Sequence, residues 1–162
     1  MGRPVEPLDA RAARVAALDA LARRDYAGED LRLKLLEKGY DVTVVLPLLD
    51  ALRDEKLLDD RRYLENFVAY HATRGQGPIR VRLGLRQHGL QGQLVEEYLD
   101  AYPDWLAHLK KARLKKFGAK PPENFADRQL QARFLSYRGF TSAQIRMALG
   151  FDVDLDSNLE ET

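Results

Sequence analysis

The apolar positions of the chain repeat with a fixed period of 50 residues and no gap. Gly39, Gly89 and Gly139 mark the period. Four residues before each glycine stand Leu35, Leu85 and Leu135, and directly after come Tyr40, Leu90 and Phe140. Six residues after are Val45, Val95 and Ile145, and ten after are Leu49, Leu99 and Leu149. Upstream, Leu64 and Leu114 keep a position that Arg14 breaks, and Ala17, Phe67 and Phe117 hold the next. No stretch alternates as a half-buried strand does. Self-similarity at such a period is the mark of a repeat architecture.

Each glycine reads as the end of one helix and the approach to another, because a helix stops cleanly on a residue with positive φ and glycine adopts it without steric cost. Asp41 is positioned to cap the next helix in the first copy, and Thr141 with Gln144 forms a capping box in the third. Gly92 is a weaker start in the second. Nine helices are predicted, at about 9–24, 28–38, 41–54, 59–74, 78–88, 92–102, 104–117, 124–138 and 141–149. Asp59 or Asp60 caps the fourth, Pro78 suits the first turn of the fifth, and Pro47 should kink or loosen the third. The fold class is all-α: three tandem helix-turn-helix-like units, 9–58, 59–103 and 104–150, with 151–162 as an acidic, disordered tail. A three-helix unit of this size has little core of its own, so neighbours should share apolar surface in an elongated, curved solenoid.

The net charge of +1 hides a segregation. Residues 1–60 hold 10 Lys/Arg against 13 Asp/Glu, residues 61–150 hold 16 against 7, and residues 151–162 hold five acids and no base. A basic middle between acidic ends points to a polyanionic partner. The longest apolar stretch, Val44 to Leu49, is far short of the roughly 20 residues that span a bilayer. The N-terminal residues lack a signal region, so a cytoplasmic location is expected. Cysteine is absent, which removes disulfides and thiolate metal sites.

Nothing in the sequence assembles a catalytic constellation. His71, His88 and His108 are not spaced as metal ligands and read as helix-surface residues. Gly75-Gln76-Gly77-Pro78 lacks the phosphate-loop pattern, although the backbone N–H groups of the helix it opens could receive an anion. Asp59-Asp60 and Glu96-Glu97 are adjacent pairs, which do not share a helix face. The chain reads as a binding protein, not an enzyme.

Two basic clusters are the candidate contacts. The first is Arg61, Arg62, Arg74, Arg80, Arg82 and Arg86, with Gly75 and Gly77 between them. The second is Lys110, Lys111, Arg113, Lys115 and Lys116, followed by Lys120. Both suit phosphates or an acidic protein groove, and solvation with local pairs such as Arg61–Glu65 is the plainer alternative. Arg82 and Arg86 share a helix face, and reversing their charge is expected to weaken partner binding. Major-groove reading by the last helix of each unit is a poor fit, because 41–54 is apolar or acidic and 92–102 carries Glu96, Glu97 and Asp100.

The run Leu57-Leu58-Asp59-Asp60-Arg61-Arg62-Tyr63 through Phe67-Val68, then Arg74-Gly75-Gln76-Gly77-Pro78, Ile79, Arg82, Leu85 and Gly89-Leu90, resembles the RecX family, as does the three-helix repetition. The resemblance covers roughly residues 10–150. It implies a cytoplasmic regulator that needs no cofactor and binds the RecA–single-stranded DNA filament in its helical groove; a monomer is expected. Family members commonly suppress its strand exchange, ATP hydrolysis and co-protease activity, and some bind DNA directly. The alternative is a stand-alone, non-sequence-specific DNA-binding protein, which would show strong salt dependence on naked DNA.

Overall fold

The computed structural model describes residues 4–150, and every regular element among them is a helix. In chain order these are α1 (Ala10–Arg23), α2 (Gly28–Glu37), α3 (Val42–Asp54), α4 (Asp60–Thr73), α5 (Pro78–Gln87), α6 (Gln93–Ala101), α7 (Trp105–Phe117), α8 (Phe125–Tyr137) and α9 (Ser142–Leu149). The acidic segment 151–162 lies outside the described residues. None of the nine helices is long and apolar enough to cross a membrane.

The 50-residue period is a period of burial. Leu35, Leu85 and Leu135 are all fully buried, as are Val45, Val95 and Ile145 to within 2%. Gly39, Gly89 and Gly139 have φ of 106°, 76° and 95°, where a side chain would be strained, and each closes a helix before the next begins. The repeat position that Leu64 fills is not kept in the third copy, because Leu64 is buried whereas Leu114 is half exposed.

By packing, the described residues form two compact units, one of residues up to 66 with 86–90, the other of 67–85 with residues from 91 onward. In unit 1, α1 and α2 pack on α3 and on each other. Their core is Ala13, Ala17, Leu31, Leu35, Tyr40, Val45, Leu49, Leu52 and Leu58. Alanine on the buried stripe of α1 lets the helices approach closely, and leucine from α2 and α3 fills the space between. Pro47 lies inside α3, yet the helix runs through it unbroken. Pro47 and Thr43 are both exposed, so the carbonyl that loses its donor faces water.

Local chemistry sets the helix ends. The Asp41 carboxylate accepts from the Thr43 amide at 2.9 Å. Asp59 caps α4, accepting from the Arg62 amide at 3.0 Å. Its neighbour Asp60 accepts instead from the Gly28 amide at 2.7 Å, capping α2 from 32 residues away. That bond explains how α2 begins after Ala27, which offers no capping side chain. At the end of α3, Lys56 takes φ of 59°, the one non-glycine residue at positive φ among those described. The Leu57 and Leu58 amides then both donate to the Leu52 carbonyl, at 2.9 and 3.1 Å. Lys56→Gly should stabilise the chain by about 0.5–1 kcal/mol by removing that strain, read as a raised urea midpoint at unchanged slope.

In unit 2, α7, α8 and α9 pack pairwise around Trp105, Leu109, Ala132, Leu135, Phe140 and Ile145. The Thr141 capping box is complete: the Gln144 amide donates to the Thr141 hydroxyl at 3.2 Å, and the Thr141 amide to the Gln144 side chain at 2.9 Å. Thr141→Ala should cost about 1 kcal/mol in thermal or denaturant unfolding. Gly92 opens α6 with no side-chain cap.

Candidate partner and nucleic-acid interface

α7 is amphipathic in a way that sorts its cations. Trp105 and Leu109 are buried, and the Trp105 indole N–H donates to the Leu99 carbonyl at 2.8 Å. Lys110, Lys111, Lys115 and Lys116 are exposed and make no ion pair among the described residues; the first three lie off the buried face, whereas Lys116, two turns after Leu109, stands 5.9 Å from the Phe134 ring. Arg113 is turned inward. Its guanidinium donates to the Gln131 side-chain oxygen and to the Lys120 carbonyl, each at 2.8 Å. Arg113 therefore satisfies a polar group that is only 2% exposed and ties down the segment leading to α8.

Three separate segments of unit 2 enclose a cavity of about 460 Å³: the end of α4 and its turn (Thr73, Arg74, Gly75), α7 (His108, Lys111, Ala112, Lys115, Lys116) and α8 with its cap (Phe134, Arg138). Among the described residues ten line it, five of them Lys or Arg and none Asp or Glu. The two arginines are held by aromatic rings instead of carboxylates. Arg74 lies 3.4 Å over the Tyr70 ring and donates to the Tyr70 carbonyl at 3.1 Å. Arg138 stands 5.3 Å from the Phe134 ring centroid. Ring contacts orient a guanidinium without cancelling its charge. A concave wall with five like charges and no counter-charge among the described residues focuses a positive potential, and so it attracts phosphates or carboxylates.

This cavity joins Arg74 and Gly75 of the arginine cluster to Lys111, Lys115 and Lys116 of the lysine cluster. The other candidates stand elsewhere. Arg62 is committed to Asp25, with guanidinium–carboxylate contacts of 2.9 and 3.3 Å. Arg61 pairs with Glu65 at 3.2 Å. Arg82 is held by both oxygens of Glu96, at 2.9 and 3.0 Å. Arg80 lies over the Tyr137 ring at 4.6 Å. Arg86 is exposed, and it and Lys110 lie outside the cavity.

The structure corrects the anion-site reading of the loop before α5. The Gly77 amide donates to the Arg138 carbonyl at 2.8 Å, and the Ile79 amide to the Gly139 carbonyl at 2.9 Å. Pro78, between them, has no N–H. The helix start is therefore filled by backbone, and Gly77 is a packing residue: a Cβ there would overlap the Gly139 carbonyl and the Phe140 amide nitrogen.

The histidines are more engaged than surface residues. His88 Nδ1 lies 2.6 Å from an Asp30 oxygen, His108 Nε2 lies 3.1 Å from the Tyr102 hydroxyl, and the His71 ring packs tilted against Phe67, with centroids 4.2 Å apart. The described residues contain no group of three His, Cys, Asp or Glu placed to hold a metal ion.

Sequence reasoning missed a second cavity, of about 650 Å³, in unit 1. Arg23, Arg24, Lys34 and Lys38 line it, with Asp19 the one acid among its described lining residues, together with Ala12, Ala16 and Ala20. Arg24 lies 3.9 Å over the Tyr26 ring. Burial alone would push the Tyr26 hydroxyl up, but hydrogen bonds and charge from Lys34 and Arg24 hold it below the ordinary tyrosine range. The negative balance of residues 1–60 thus coexists with a locally positive groove. Lys34 and Lys38, four apart across the last turn and C-cap of α2, were the available signal.

Comparison with known proteins agrees with this architecture. Residues 59–99 match the family model for the second three-helix domain of RecX, and residues 103–149 that for the third. The chain is 44% identical over 138 residues to the regulatory protein RecX of Halorhodospira halophila, covering 85% of this chain and 86% of that one. It is 38% identical over 144 residues to the regulatory protein RecX of Pseudomonas entomophila, covering 88% and 93%. A crystal structure of a regulatory protein RecX superposes with a TM-score of 0.74 at 25% identity, over 88% of this chain and 73% of the other. The RecX from Lactobacillus salivarius superposes with a TM-score of 0.77 over 88% and 95%, and at 19% identity it bears on the fold alone. With identity sustained over most of both chains and the helical fold shared, the protein belongs to the RecX family of regulatory proteins.

Proposed function

We propose that this protein is a negative modulator of the RecA recombinase, acting in the bacterial cytoplasm as a monomer without cofactor or catalysis. It binds the RecA–single-stranded DNA filament in its groove and lowers ATP hydrolysis, strand exchange and co-protease activity. Family membership supports the role. The observation that carries the contact is the cavity of unit 2, without a carboxylate among its described lining residues, where Arg74, Lys111, Lys115, Lys116 and Arg138 converge. A nucleoprotein filament offers phosphates and acidic side chains, and such a wall attracts both. Several modest contacts to one filament add through effective concentration.

The test is the DNA-dependent ATPase of the cognate RecA with substoichiometric amounts of this chain. Hydrolysis should fall. Unchanged hydrolysis, with tight and salt-sensitive binding to naked oligonucleotide, would overturn the RecA reading and leave the stand-alone DNA-binding one, which the same cavity would serve.

A further inference from the structure

We propose that the basic cavity of unit 2 is also the docking site for the chain's own acidic segment 151–162, which competes there with polyanionic partners. The docking stands on charge and placement; only the competition rests on the function proposed above.

Charge complementarity is the first ground. The segment reads Phe151-Asp152-Val153-Asp154-Leu155-Asp156-Ser157-Asn158-Leu159-Glu160-Glu161-Thr162, with five carboxylates and no cation. Among the described residues the cavity has five cations and no carboxylate. Its lysines make no ion pair among the described residues, so the wall has unspent attraction for an anion. The second ground is chemical pattern. Asp152, Asp154 and Asp156 alternate with Phe151, Val153 and Leu155. An extended backbone would send the acids to one side and the apolar groups to the other. The cavity has both kinds of wall, lysines on α7 and Phe134 with Ala112 beside them.

The third ground is where the segment starts. It follows α9 directly, and α9 packs against α7 and α8, the helices that supply most of the cavity lining. Twelve residues span up to about 40 Å when extended, so reach is ample. Tethering gives an effective concentration on the order of millimolar, enough for a weak contact to hold. A phosphodiester strand presents the same negative charge without the tether, and displaces the segment when its concentration and contacts suffice.

The test uses the full chain with the segment neutralised: Asp152→Asn, Asp154→Asn, Asp156→Asn, Glu160→Gln and Glu161→Gln. A fluorescein-labelled peptide of sequence 151–162 is the probe, read by anisotropy. The peptide should bind the neutralised chain at least about tenfold more tightly than the parent, whose site is filled. Adding Lys111→Glu and Lys115→Glu to the neutralised chain should abolish that binding. Adding Arg23→Glu and Lys38→Glu, in the unit 1 cavity, should leave it in place. Equal peptide binding by parent and neutralised chains would overturn the docking, as would equal sensitivity to both pairs of reversals. In parallel, the neutralised chain should bind oligo(dT) about fivefold or more tightly than the parent. If the peptide arm holds while oligo(dT) binding is unchanged, docking is upheld, the competition is refuted, and the cavity loses its role in DNA contact.

Discussion

Gly77→Ala should lower the unfolding temperature by about 12 °C or more, a large effect for one methyl group. Gly77 is buried, and an added Cβ would meet the Gly139 carbonyl and the Phe140 amide nitrogen. All of those atoms are backbone, so no rotamer change relieves the clash. Gly139 cannot yield easily either, since it sits at φ of 95° with the Arg80 backbone and Cβ packed against it. Separating the two segments weakens the Gly77–Arg138 and Ile79–Gly139 hydrogen bonds, each worth about 1 kcal/mol net. Overpacking adds about 1–3 kcal/mol. The total is about 3–5 kcal/mol, and a unit of this size loses roughly 4 °C or more per kcal/mol. Helical circular dichroism during a thermal scan reads the change. Gly92→Ala is the comparison, because nothing lies within 4 Å of its added Cβ and only the strain at φ of 101° remains. Should both variants melt together, close backbone approach is not what makes Gly77 necessary.

The role of Gly77 marks where the sequence stops being legible. The repeat glycines, the caps at Asp41 and Thr141 and the buried positions at 35, 85 and 135 are local or periodic, so spacing alone reveals them. Gly77 looks like the same kind of residue in a one-dimensional reading, part of a loop that opens a helix. Its hydrogen-bond partner Arg138 is 61 residues away, and only the packed structure says that its amide is already used. Asp60 repeats the lesson: as one of two acids at the start of α4 it reads as that helix's cap, yet it caps α2. The two basic clusters were legible as composition, but not their division of labour. Arg62, Arg82 and Arg113 are spent on Asp25, Glu96 and Gln131. Arg74 and Arg138 escape that fate because their neighbours are rings. Charge counts cannot separate a cation with a carboxylate partner from one without, since the partner is chosen by tertiary contact.

That separation decides which charges to reverse. The pair Lys111→Glu and Lys115→Glu should weaken inhibition of the RecA ATPase by about 30-fold or more in the concentration required. Both lysines line the cavity, both are exposed, and neither makes an ion pair among the described residues. Folding should therefore change by no more than about 0.5 kcal/mol, as for other surface substitutions, and a thermal scan checks this. Arg82→Glu would be a worse probe. It sets a carboxylate against Glu96, which now holds Arg82 with both oxygens, so a loss of binding would be mixed with a loss of structure. Salt dependence gives an independent measure. If each lysine neutralises one phosphate, the log–log slope for oligo(dT) binding should become shallower by about 1.4 for the pair. A weaker ATPase effect with an unaltered slope would mean that these lysines meet protein carboxylates in the filament rather than DNA. Unaltered inhibition and an unaltered slope would remove the cavity from the interface altogether, and attention would pass to the positively charged groove of unit 1, which Arg23, Arg24, Lys34 and Lys38 line together with Ala12, Ala16 and Ala20.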